Sequence, residues 1–191
     1  MIVPDAADRK ALFVIDVQPL TCKGDVPPVI TDKITRYIEK VPYDAYVLAE
    51  YHAPLRTMFY KQQGFSLTKE ETGKTCESVM EVLKPYEAKV LHVQKATRSC
   101  FRGDDLNNLQ NFLTQRKIEE IHFVGFDIND CVLASAYDAI DLGYYSFVLE
   151  ELCHHNSGIQ ELKDAALTIF HRQNMTNNCL HDKIGRKSIE L

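Results

Sequence analysis

Three chemically active side chains stand just beyond apolar runs of this sequence. Asp16 follows Ala11–Ile15, Lys95 ends the stretch that begins at Lys89, and Cys131 follows Ile121–Gly125 after a short loop. An unperturbed thiol, with a pKa near ~8.5, is only a few per cent thiolate at neutral pH. A helix N-terminus and a nearby ammonium both favour the anion and are expected to lower that pKa. A carboxylate within reach can take the thiol proton during attack and return it to a leaving amine. A lysine between the two keeps the carboxylate ionised despite burial. A loop turning into a helix offers backbone N–H groups to a tetrahedral oxyanion, worth on the order of a hundredfold in rate. Together these parts describe acyl transfer through a thioester. Each residue also has a plainer reading: Asp16 as a turn former, Lys95 as a solvated charge, Cys131 as a small buried residue. Their conjunction at strand ends is what points to chemistry.

For the three to meet, the apolar runs must be strands of one sheet. Ala11–Ile15, Ala45–Ala49, Lys89–Val93, Ile121–Val124 and Tyr145–Leu149 are short continuous runs, the mark of strands covered on both faces. A sixth near Asn174–Asn178 is too polar to assign. Between the runs lie helical patterns: Val29, Ile30, Ile34, Tyr37 and Ile38; Val79, Val82 and Leu83; Leu106, Leu109, Phe112 and Leu113, with Asp104 or Asp105 as N-cap. Val132, Leu133, Ala136, Ala139 and Ile140 form another stripe, stopped by Gly143, and a last helix is expected over Gln160–Phe170. The expected fold is α/β, a three-layer α/β/α arrangement around a mainly parallel, Rossmann-like sheet of five to six strands. Ligands in such folds bind beyond the carboxyl ends of the strands, where strand order reverses. Tyr51–Thr75 shows no clear period and is expected to be a lid, a pocket wall or a mobile loop.

Composition narrows the class. The chain has 191 residues, against about 150 for an ordinary domain, so one domain over residues 1–191 is expected. Lys+Arg 22 against Asp+Glu 27 gives −5, which argues against nucleic-acid or anionic-membrane binding. No run is long and apolar enough to span a bilayer. The start lacks a secretory pattern, and the six cysteines include no CxxC pair, so free thiols and a cytoplasmic location are expected.

The motif blocks resemble a known family. Ala11-Leu-Phe-Val-Ile-Asp16-Val-Gln18, Lys95-Ala-Thr-Arg-Ser99-Cys-Phe101 and Gly125-Phe-Asp-Ile-Asn-Asp-Cys131-Val132 are similar, in order and spacing, to those of the isochorismatase-like cysteine hydrolases, which include nicotinamidase and N-carbamoylsarcosine amidase. The likeness runs from about Leu12 to Cys153. It implies Asp16 as general base, Lys95 as its electrostatic partner and Cys131 as nucleophile. It further implies a cis peptide at Phe126–Asp127 and an oxyanion hole from the N–H groups of Asp127 and Cys131. Members acting on the vinyl ether of isochorismate generally lack this cysteine, so the implied substrate is a small amide or related C–N compound. Tyr51 and Phe101 are the candidate substrate contacts, and Arg98, Arg102 and Tyr51 read equally as carboxylate or ring contacts and as solvated surface residues.

Two departures stand out. Asp127 occupies a position where the family has a small residue, and a carboxylate there must point away from a developing oxyanion. The family's metal-binding nicotinamidases carry Asp-x-His and two further histidines, whereas this chain has Glu50-Tyr51-His52 and then no histidine before His92. No metal and no other cofactor is therefore expected. His92 reads as a packed or hydrogen-bonded strand histidine, and His154 and His155 as solvated loop residues. A small-molecule substrate and a homo-oligomer are the expected partners. Asp127 and the Tyr51–Thr75 segment also motivate a rival reading, a catalytically weak or inactive binding or scaffold protein that keeps the fold. A third reading is a thiol sensor acting through Cys131.

Overall fold

The computed structural model describes residues 1–54, 57–64, 66–103 and 105–191. In chain order the elements are β1 (Ile2–Pro4), β2 (Lys10–Ile15), α1 (Val26–Lys40), β3 (Ala45–Tyr51), α2 (Met58–Gln63), α3 (Lys69–Thr72), α4 (Glu77–Leu83), β4 (Val90–Lys95), α5 (Leu106–Gln115), β5 (Glu120–Gly125), α6 (Cys131–Asp141), β6 (Tyr145–Cys153), α7 (Gln160–Arg172) and β7 (Arg186–Ser188). No helix among the described residues is long and apolar enough to cross a membrane.

Five strands form one sheet in the order β4-β3-β2-β5-β6, all parallel. The chain steps outward from β2 to β3 and β4, then returns to β5 on the other side of β2. The reversal in strand order therefore falls between β2 and β5. Alternate residues of β2 serve opposite layers, as a strand's two-residue period requires. Phe13 and Ile15 pack with Leu109, Leu113, Val132, Ala136 and Phe170, so α5, α6 and α7 cover one face. Leu12 and Val14 pack with Ile34, Tyr37, Ile38, Val79 and Leu83, so α1 and α4 cover the other.

Several details differ from the sequence reading. Val29 and Ile140 are exposed, because about 100° of turn per residue carries each off the buried stripe of its helix. β4 begins only at Val90, since Lys84–Lys89 forms a 3-10 turn, and it extends to Lys95. Asp105 holds the N-cap position of α5 without a capping bond; its carboxylate accepts the N–H of Gln94 at 2.9 Å. Asp104, the other cap candidate, lies outside the described residues. The polar stretch at Asn174–Asn178 makes one parallel bridge, Thr176 to Val148, and Asn177 accepts the N–H of Glu150 at 2.9 Å. β1 and β7 form a separate antiparallel pair that was not expected. Within Tyr51–Thr75, α2 and α3 are capped by Thr57 and Thr68, the latter in a capping box with Glu71.

One glycine sets how closely β5 can approach β2. Gly125 has φ +114°, and a Cβ there would lie 2.1 Å from the Ile15 carbonyl oxygen. Gly125→Ala is expected to destabilise the fold by more than about 2 kcal/mol, read as a lower denaturant midpoint at unchanged slope. An unchanged midpoint would contradict this account of the β2–β5 contact.

Candidate active site

Asp16 ends the central strand and turns the chain. Its φ is +52°, a left-handed conformation that Asp tolerates better than bulky or β-branched residues do. Its N–H donates to Ala49 O at 2.9 Å, and the Thr21 hydroxyl bonds its carbonyl. Gln18, buried two residues on, stitches this turn to its surroundings. Its amide nitrogen donates to Gly73 O at 2.8 Å and Tyr51 O at 3.3 Å, and its oxygen accepts the Tyr51 N–H at 2.7 Å. Sequence reasoning assigned no role to Gln18, although a polar residue just past a strand-ending Asp is a usable signal.

Lys95 reaches Asp16 across the end of β3. Its Nζ donates to Asp16 Oδ2 at 2.7 Å and to Thr97 O at 3.4 Å, and it sits 4.6 Å above the centre of the Tyr51 ring. Lys95 is 0% exposed and Asp16 2%. Asp16 Oδ1 is also buried and accepts no hydrogen bond from the described residues. Cys131 opens α6, and its thiol borders the same two groups. Asp16, Lys95 and Cys131, nominated from strand ends, are thus brought together.

Their proton affinities follow from burial. Burial raises the Asp16 carboxyl above its ordinary value, opposed by the charge and hydrogen bond of Lys95 and by the thiol. Burial works against the Lys95 ammonium, but Asp16 and Cys131 more than offset it, and the lysine holds its proton more tightly than usual. The Cys131 thiol is pushed well up, first by burial and then by the Asp16 charge, with Lys95 opposing. This corrects the expectation of a depressed thiol pKa: in the resting site desolvation and the Asp16 anion outweigh the ammonium.

A cavity of about 180 Å³ is lined by Asp16, Gln18, Tyr51, Leu67, Thr72 and Cys131, with Asp127, Asp130 and Asn156 among its other walls. Leu67 and Thr72 come from the segment read as a lid, a wall or a mobile loop, and line it as walls. Tyr51 is shared with a larger cleft of about 920 Å³ that Arg98 and Arg102 border. There Arg98 pairs with Asp130, and Arg102 grips Asp138 through two bonds of 2.9 and 2.7 Å. Phe101 is corrected: it is 2% exposed and stacked between Phe13 and Tyr144, an apolar core ring rather than a substrate contact.

The loop before Cys131 contains the cis peptide Phe126–Asp127. Among the described residues the N–H groups of Asp127 and Cys131 donate to no protein acceptor, while Asp130 N and Val132 N both donate to Asp127 O. The Asp127 carboxylate accepts the Asn156 N–H at 2.5 Å and lies 3.9 Å from His155 Nε2. Burial raises its pKa, against the pull of those two groups. His154 is buried rather than solvated, with Nε2 3.3 Å from the Gln160 side-chain oxygen.

A family model described as the isochorismatase domain matches residues 10–176. The chain belongs to the isochorismatase family. It is similar in structure to the nicotinamidase/pyrazinamidase of Bacillus subtilis, at 21% identity and TM-score 0.70 over 85% of this chain and 94% of that one. The yeast nicotinamidase bound to nicotinaldehyde superposes with TM-score 0.71 at 14% identity, over 87% and 98% of the two chains. The Pyrococcus horikoshii pyrazinamidase in complex with zinc gives 0.66 at 18%, over 88% and 97%. Comparison with curated proteins finds no match.

The zinc of that last structure calls for a test of the metal question in this isochorismatase-family chain. Glu50 is buried and already engaged: it accepts from Thr75 N at 2.9 Å, Thr75 Oγ1 at 3.1 Å and Gln94 Nε2 at 2.5 Å, and meets His92 Nδ1 at 3.2 Å. Among the described residues no three His, Cys, Asp or Glu side chains are grouped to hold a metal ion. The donor set does not fit a metal centre. His92, read as a packed or hydrogen-bonded strand residue, is hydrogen-bonded but exposed.

The corrected thiol electrostatics predict the reactivity of the resting protein. Iodoacetamide labelling of Cys131 should be slow at pH 7 and still climbing above pH 9, where the thiol begins to ionise. In Lys95→Met the rise should move to higher pH, since the ammonium that favours the thiolate is gone. A Cys131 rate that levels off below pH 8 would contradict this.

Proposed function

We propose that the protein hydrolyses a small amide or related C–N compound through a thioester on Cys131, with Asp16 as general base and acid. The observation that carries the reading is Asp16: Oδ2 is fixed by Lys95, Oδ1 is buried and accepts no hydrogen bond of normal geometry from the described residues, and the residue lines the same cavity as Cys131, whose thiol bears on its proton affinity.

Asp16 takes the thiol proton as sulfur attacks the substrate carbonyl carbon. The proton moves within a buried set whose total charge stays constant, so the high thiol pKa is bypassed rather than opposed. The oxyanion is assigned to the N–H groups of Asp127 and Cys131, the latter in the first turn of α6, where the helix dipole favours negative charge. As the tetrahedral intermediate collapses, Asp16 returns the proton to the departing nitrogen, and ammonia or an amine leaves. Water then attacks the thioester carbon, Asp16 takes its proton, and the acid departs as the thiol is restored. Lys95 keeps Asp16 ionised before each proton is taken and aimed throughout. Tyr51 is the proposed substrate contact. A cavity of about 180 Å³ lies below the ~300–1,000 Å³ of ordinary ligand pockets and favours a substrate of few heavy atoms.

The test is ammonia release from a panel of small primary amides and ureido compounds. Cys131→Ala and Asp16→Asn are each expected to lower kcat/KM by at least about a thousandfold. Because the base must be ionised, activity should rise with pH through an acid limb centred above the ordinary carboxyl value of 3.8. Full turnover in Cys131→Ala sinks the proposal.

A further inference from the structure

Two cysteines outside the site stand beside its framework. Cys22 lies on the turn that begins at Asp16, and its N–H donates to Gln18 O at 2.9 Å. Cys76 holds the N-cap position of α4, and its N–H donates to Val17 O at 2.8 Å. The two backbones thus hang from adjacent carbonyls of one turn. Both side chains pack against the same apolar cluster as Val17 and Val79, and both are partly exposed, whereas Cys100, Cys131 and Cys153 are buried. Cys22 Sγ lies 3.3 Å from the Thr31 hydroxyl and 4.0 Å from that of Thr21. The Cys22 and Cys76 thiols act on each other's proton affinity.

We propose that Cys22 and Cys76 form a redox-active dithiol that hydrogen peroxide converts to a disulfide. The electrostatics suit the roles. The interaction with Cys76 outweighs burial and draws the Cys22 thiol down to about 7, while Cys76 is raised and keeps its proton. The Cys22 thiolate attacks a peroxide oxygen; the O–O bond breaks, hydroxide leaves, and a sulfenic acid forms. Cys76 sulfur then attacks the Cys22 sulfur; the S–O bond breaks, and the thiol proton leaves with the hydroxyl as water. Two thiols lose two electrons and two protons, and the peroxide becomes two waters. The bond joins the turn bearing Gln18 and Thr21 to Cys76, four residues after Thr72, so it links two chain segments that both line the cavity. This inference does not rest on the hydrolase reading.

The test treats the reduced full-length protein with dilute peroxide, blocks remaining thiols and maps peptides without reduction. The expected product is a Cys22–Cys76 cross-linked pair about 2 Da lighter than the two free peptides. Cys179, partly exposed, and the buried Cys100 serve as controls and should lag at least tenfold. In Cys76→Ser the reaction should stop at a Cys22 sulfenic acid, trapped by a 1,3-dione. In Cys22→Ser, Cys76 should remain alkylatable. The proposal is overturned if both cysteines stay alkylatable at doses that oxidise Cys179. It is equally overturned if the wild-type protein accumulates Cys22 sulfenic acid without the cross-link.

Discussion

The Lys95–Asp16 ion pair is the constraint to which the carboxyl edge of the sheet answers. Removing two charges from water costs several kcal/mol per ion, and only close contact and full hydrogen bonding offset it. The contact is 2.7 Å, yet the partners come from strands that are not neighbours, with β3 between them. Register makes it reachable: Ile15 is level with Ala49 and Ala49 with Val93, so Lys95 stands two residues further out. At about 3.3 Å per residue it clears the end of β2, where Asp16 turns over in a left-handed conformation to meet it. Gln18 and Thr21 then hold that turn, and the Tyr51 ring covers the ammonium.

The same pair explains why a thiol that keeps its proton belongs in such a site. With Asp16 ionised, Lys95 charged and Cys131 neutral, the buried group carries no net charge. Passing the thiol proton to Asp16 leaves that sum unchanged, whereas losing it to solvent would leave a buried anion with no further counter-ion. Burial thus penalises the free thiolate far more than it penalises the internal transfer. An exposed, activated cysteine works by the opposite device, and reading Cys131 from residue types alone suggested that one.

The contrast marks what sequence can carry. Five strands and the main helices are readable because two-sided burial leaves continuous apolar runs and a helix leaves a 3.6-residue stripe. Asp16, Lys95 and Cys131 are readable because strand ends face the reversal in strand order. What sequence does not carry is burial beyond the local element. Phe101 follows the lysine motif yet fills a gap between Phe13 and Tyr144, and His154 looks like a loop histidine yet is enclosed. The Tyr51–Thr75 segment hides its helices because α2 and α3 are too short to repeat; their caps, Thr57 and Thr68, are their visible trace. Arg186–Ser188 pairs with β1 though exposed, through backbone bonds that leave no apolar signature.

Asp127 shows how a departure from the family pattern is absorbed. A carboxylate close to a developing oxyanion raises the energy of that state, so the side chain needs a place away from it. The pairing of β5 with β6 supplies one: the register shifts between Phe123 and Gly125, so that Gly125 lies opposite Cys153. That shift carries the chain after β6 over the loop before Cys131, where Asn156 donates its N–H to the Asp127 carboxylate and His155 approaches its second oxygen. Gly125 is the residue at which β5 comes closest to β2, so the strand contact and the seat of Asp127 depend on one backbone position. The side chain is bound to the loop while the Asp127 N–H keeps no protein partner among the described residues. An acid is compatible with the proposed oxyanion site because its carboxylate and its N–H answer to different partners.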